Sequence, residues 1–159
     1  MQIPLITESK YFNRKNKVYR VFTVYTVYLV NTVDNRMKIT RFEDLECWKE
    51  ARVLVNMVYK AIHSNSRFER DYGLRGQVTN AAVSSMSNIA EGFSRHSNKE
   101  FAQFLFISKG SVSEVQSIFY VALDQDYIGK EVFENVYLQA EKVSKLVSGL
   151  ISYLLKRKE

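Results

Sequence analysis

The chain has one cysteine, one proline, six glycines and two histidines among 159 residues. A lone Cys47 excludes an internal disulfide framework and supplies no zinc signature. It reads as a small apolar residue near a helix start, which fits a reduced, cytoplasmic setting. Few prolines and glycines leave few breakpoints, so long helices with short connections are expected. His63 and His96 fall at different helix ends, with no cysteine or carboxylate at ligand spacing, and the Glu-x-x-His motifs of di-metal bundles are absent. Gly73 and Gly76 flank Leu74-Arg75 without the Lys-Ser/Thr that a phosphate loop requires. No base stands near the serines of the central region, so they read as close-packing residues with hydroxyls bonded back to the helix. No catalytic set, metal site or cofactor is expected, and the chain reads as a non-enzyme.

What is present is unevenly spread. The net charge is +6, and residues 1–36 carry +4 of it, from Lys10, Arg14, Lys15, Lys17, Arg20 and Arg36 against Glu8 and Asp34. Residues 37–159 hold 17 basic and 15 acidic residues, so the body is only slightly cationic. Within residues 1–36, Val18 to Val30 is rich in β-branched and aromatic residues and reads alone as a strand. It is too short and too rich in Thr and Tyr for a membrane span, and the following Asn31-Thr32-Val33-Asp34-Asn35 is a poor leader-cleavage site. A strand with no partner strand conflicts with the rest of the chain. Residues 1–36 are therefore read as an extension dispensable for folding, with the domain spanning 37–159.

From Leu45 the period becomes helical. Trp48, Ala51, Val55, Val58 and Ile62 step by three and four, which predicts a helix over 45–63 ending in a polar turn at His63-Ser64-Asn65-Ser66. A second helix, 72–92, shows one stripe of Leu74, Val78, Ala81, Ser85, Ile89 and Gly92 and another of Ala82, Met86 and Phe93. With two coverable stripes it is either central in the chain or packed on a second subunit. Ser97-Asn98-Lys99-Glu100 has capping-box spacing and opens a third helix, 98–124. Gly110 lies mid-helix, which costs about 1 kcal/mol against alanine; a close helix approach at Gly110-Ser111 is one reason to tolerate it. A fourth helix, 130–156, carries Phe133, Val136, Ala140, Val143, Val147, Leu150 and Leu154 as a heptad-like seam. Lys156-Arg157-Lys158 then suit the negative end of its dipole. The expectation is an all-α fold, an antiparallel up-down-up-down four-helix bundle.

Two groups of polar residues are candidate sites. Asn88 and Glu91 lie one turn apart, and Arg95 follows the helix end. Either Glu91 pairs with Arg95 or accepts from backbone N–H groups, or the set is a partner surface. Arg75, Arg95, Lys99 and Lys109, with Tyr72 and Phe93 nearby, are either a phosphate-binding face or a solvated mixed-charge surface.

Phe42-Glu43-Asp44-Leu45 with Trp48-Lys49, Tyr72-Gly73-Leu74, Ser87-Asn88-Ile89-Ala90-Glu91-Gly92, Arg95, Glu100-Phe101 and Gly110-Ser111 with Glu114 together resemble a known family. It is the four-helix-bundle family of 23S ribosomal RNA intervening-sequence proteins, which includes the accessory variability protein of diversity-generating retroelements. The resemblance runs from about Lys38 to Leu155. It implies a homopentameric bundle with a basic surface able to bind RNA or DNA. It also implies that Asn88, Glu91 and Gly92 are a structural signature, and that a reverse transcriptase is a partner of the retroelement members. The leading reading is a non-catalytic oligomeric bundle that binds RNA or a ribonucleoprotein partner through a basic surface, and the contrasting one is a protein-binding adaptor or scaffold without a nucleic-acid role. No membrane partner is expected.

Overall fold

The computed structural model describes residues 39–156. The proposed extension over 1–36, together with Arg157 and Lys158, lies outside the described residues. Every regular element among those described is helical. A 3-10 turn at Phe42–Asp44 leads into α1 (Glu46–His63), α2 (Ser66–Arg70), α3 (Tyr72–Phe93), α4 (Asn98–Asp124) and α5 (Lys130–Lys156).

The four long helices match the spans expected from spacing to within a residue at each end. α2 does not: the sequence suggested only a polar turn there. Asn65 accepts hydrogen bonds from the N–H groups of Arg67 (2.9 Å) and Phe68 (3.2 Å), which starts a new helical turn. Asp71 then ends α2 and caps α3, its Oδ1 accepting from the Leu74 N–H at 3.0 Å. Between the two caps Phe68 is fully buried and stacks on Tyr127, with ring centroids 5.3 Å apart. A side chain buried this way contributes about 1.5–3 kcal/mol, which anchors an element too short to be stable alone.

α3 packs on α1 and α4, and α5 packs on the same two helices, so each long helix has two long neighbours. One core fills the space between them. The seam on α5 is buried at Val136, Ala140, Val143, Val147 and Leu154, with Ile151 joining it, while Phe133 and Leu150 pack against its margin. Both stripes of α3 are covered within the chain: Ala82 is fully buried, and Met86 and Phe93 lie against the core.

Gly110 does not mark a close approach. It faces open space, and a Cβ there would meet no atom within 4 Å. Its neighbour Ser111 is the residue at the helix contact, sharing a hydrogen bond with Ser84 at 2.9 Å.

α1 and α5 are joined by a polar tie. The Gln139 amide donates to the Glu50 carbonyl (2.9 Å) and carboxylate (2.7 Å), and Lys142 Nζ lies 2.8 Å from Glu50 Oε1. Burial is the largest influence on the Glu50 carboxyl and opposes its ionisation. The hydrogen bonds from Lys142 and Gln139 and the Lys142 charge together outweigh it, holding the group below its ordinary value. A depressed folded-state pKa stabilises the fold above the unfolded value, and that contribution is lost as pH falls through the folded one. Glu50→Gln is therefore expected to cost about 1 kcal/mol at neutral pH. The gap from the parent chain should close below the usual carboxylate range. Urea unfolding of both chains across pH 3–7 checks this, and a constant gap would refute it.

Candidate nucleic-acid interface

The seam between α3 and α4 is built from small residues. Ser108 Oγ donates to the Ser85 carbonyl at 2.7 Å, and Ser85 Oγ donates to the Ala82 carbonyl at 2.7 Å. Both serines are fully buried. The Ser108 hydroxyl thereby ties α4 to α3, while the Ser85 hydroxyl is bonded back within its own helix. Asn88 Nδ2 donates to the Ser84 carbonyl (2.8 Å) and to Ser84 Oγ (3.0 Å). One turn on, Gly92 is buried against Phe101 and Phe104, which leave no room for a Cβ.

Beyond Gly92 the chain turns into α4. Glu91 pairs with Arg95, whose guanidinium lies 4.5 Å from the Phe104 ring centroid. The Glu91–Arg95 pairing that the sequence allows is present. Both partners are exposed, so the pair adds little stability, but it does offset the Arg95 charge locally. Ser97 Oγ accepts from the Glu100 N–H at 3.2 Å and donates to the Glu100 carboxylate at 2.9 Å. The capping box is thus closed through the Ser97 hydroxyl.

The candidate cations occupy separate stations. α3 has 22 residues and is about 33 Å long. Arg75 in its first turn and Arg95 just past its end are therefore on the order of 30 Å apart. Lys99, in the first turn of α4, shares the α3–α4 turn with Arg95. Lys109 sits further along α4, next to the Ser108–Ser85 contact. Lys99 is exposed and Lys109 half-buried, and neither forms an ion pair among the described residues. Arg75 donates to the Glu69 carbonyl at 2.9 Å and lies 4.8 Å from the Tyr72 ring centroid, with no carboxylate partner among the described residues.

Two features were missed from sequence. Arg67 and Arg70, on α2, stand at the same end as Arg75; the signal was three arginines interleaved with Phe68 and Tyr72, but the stretch read as a turn. The second is an aromatic face on α4 and α5. Tyr120, Phe133 and Tyr137 form a cluster with centroids 4.8–6.0 Å apart. With Glu134 and Leu138 they line an open depression of about 350 Å³. Tyr120 and Leu138 are exposed at 50% and 62%. The neighbouring Tyr120, then burial, pushes the Tyr137 hydroxyl up.

No group of three His, Cys, Asp or Glu among the described residues is placed to hold a metal ion. Burial pushes the Cys47 thiol up to about 12, so it stays protonated and inert at neutral pH. No helix among the described residues is long and apolar enough to cross a membrane.

Residues 43–149 match the family model described as 23S rRNA-intervening sequence protein. Among solved structures, the chain is similar to a protein of unknown function from the S23 ribosomal protein family of Bacteroides thetaiotaomicron VPI-5482. The TM-score is 0.62 at 16% identity, over 66% of this chain and 97% of that one. This likeness is one of fold. No curated protein matches the chain.

Proposed function

We propose that this chain, which belongs to the 23S rRNA-intervening sequence protein family, is a non-catalytic, cytoplasmic, oligomeric helical bundle that binds RNA or DNA. Its four long helices are read as an antiparallel up-down-up-down bundle, because short connections join helices that pack on one another. The observation that carries the binding reading is a set of cations without carboxylate partners along α3 and α4. Arg75, Lys99 and Lys109 have none among the described residues, whereas Arg95 has Glu91. One copy offers few such charges, so affinity would come from repetition in an assembly. The family resemblance suggests a homopentamer.

Nucleic-acid binding by the full chain, read by fluorescence anisotropy, is expected to weaken by at least about tenfold between 50 and 200 mM salt, because each phosphate contact releases counterions. Arg75→Gln with Lys99→Gln should weaken it further, with helical signal and oligomer mass unchanged. Light scattering should give about five times the chain mass, and a monomer would remove the multivalent argument. Retention insensitive to salt and to both substitutions would favour a second reading, a protein adaptor. The Tyr120–Phe133–Tyr137 face, exposed at Tyr120 and at neighbouring Leu138, supports that alternative, for which a reverse transcriptase is one partner suggested by the resemblance.

A further inference from the structure

We propose that the corner where α2 meets α3 is a site for an unpaired polynucleotide segment, with Tyr72 as the base-stacking surface and Arg67, Arg70 and Arg75 as the phosphate contacts. This rests on the nucleic-acid reading above and places its single-strand contacts at one end of the described helices.

The arginines are held in an unusual way. Arg67 Nη2 donates to the Gln125 carbonyl (3.2 Å), Arg70 Nε to the Ser66 carbonyl (3.0 Å) and Arg75 Nη1 to the Glu69 carbonyl (2.9 Å). Each is steered by a backbone carbonyl, and none is in an ion pair with a carboxylate among the described residues. Carbonyl anchoring orients a guanidinium without cancelling its charge. It also leaves further N–H donors for a second acceptor, since the group has five in a rigid fork. Arg67 and Arg70 are exposed, so those donors reach solvent.

Aromatic rings alternate with these charges. Tyr72 is 71% exposed, the most exposed large apolar or aromatic side chain among the described residues. Arg75 covers one side of its ring at 4.8 Å, which fixes the ring. Arg67 lies over Tyr127 at 5.3 Å, and Tyr127 in turn stacks on buried Phe68. Stacking rings beside backbone-binding cations are what a flexible strand recognises without reading sequence.

The acidic groups nearby set the shape of the ligand. Glu69 is bound to His63 at 2.9 Å, and Asp71 is committed to the Leu74 N–H and the Tyr127 hydroxyl. Asp124 and Asp126 reach the same end, as the Arg67–Gln125 and Tyr127–Asp71 contacts show. They border the arginines on the α4–α5 side. A duplex would bring its phosphates against that acidic border, whereas a single strand can follow the arginine side alone.

The test uses the full chain and three labelled probes: a single-stranded RNA, a DNA of the same sequence, and a duplex RNA. The two single strands are expected to bind within a few-fold of each other, because stacking and phosphate contacts are common to both. Tyr72→Ala should weaken single-strand binding about tenfold and duplex binding less than twofold, and Tyr72→Phe should restore the loss. Arg67→Gln with Arg70→Gln should weaken binding and lower its salt dependence. Lys145→Gln, on α5 where the ammonium pairs with Glu141, should change single-strand affinity less than twofold. Unchanged melting curves keep these results free of folding effects. Full single-strand binding by Tyr72→Ala, or an equal loss from Lys145→Gln and the arginine pair, would overturn this site while leaving nucleic-acid binding intact. Failure of the parent chain to bind any probe would overturn the broader reading as well.

Discussion

Phe68→Ala is expected to lower the stability of the chain by about 3–5 kcal/mol, the usual cost of emptying a buried phenylalanine site. Phe68 is completely inaccessible although it belongs to the five-residue α2. So short a helix forms because its side chain is buried and its ends are capped by neighbouring polar residues. Removing the ring leaves a cavity beside Tyr127 that the long helices can collapse into only in part, and takes away the stack on Tyr127. The ties from Arg67 to Gln125 and from Tyr127 to Asp71 then hold a loosened corner. Denaturant unfolding followed by circular dichroism measures the loss, and Phe68→Leu should recover most of it. A change below about 0.5 kcal/mol, within the range of an ordinary surface substitution, would mean that α2 is not part of the cooperative fold. A destabilised Phe68→Ala chain should also lose the arginine corner before it loses its long helices, because Arg67 and Arg70 ride on α2.

The same corner shows where the sequence was readable and where it was not. α5 could be read residue by residue, since Val136, Ala140, Val143 and Val147 belong to a seam that recurs along a 27-residue helix and averages out local noise. α2 has little more than one turn, so no period can emerge, and its start depends on a single Asn65 side chain folding back on two N–H groups. The cations were legible one at a time, but their grouping was not. Whether Arg75 stands beside Lys99 or beside Arg67 depends on which end of a 22-residue helix each occupies and on which connection folds against it. The α4–α5 aromatic face was hidden for a related reason. Tyr120 and Phe133 come together only when two helices pack, and by spacing alone Phe133 reads simply as a seam residue.

Gly92→Ala is expected to destabilise the chain by about 1–3 kcal/mol, although alanine is the better helix former. A Cβ at this position would lie 2.7 Å from Phe101 Cδ2 and 2.8 Å from Phe104 Cβ. The Phe101 ring can swing aside at some loss of its edge-on contact with Phe93, 6.1 Å away. Phe104 Cβ is fixed to the α4 backbone, so relief there requires the two helices to separate. Separation would lengthen the Ser108–Ser85 and Ser84–Ser111 hydrogen bonds further along the seam, at 2.7 and 2.9 Å. Gly110→Ala is the matched control. It also lies inside a helix, but its added methyl would meet nothing within 4 Å, so it should stabilise by about 0.5–1 kcal/mol through backbone entropy alone. Opposite signs in denaturant unfolding are the expected result. Stabilisation by both substitutions would show that the α3–α4 contact gives way easily, and that glycine at position 92 serves something other than close packing.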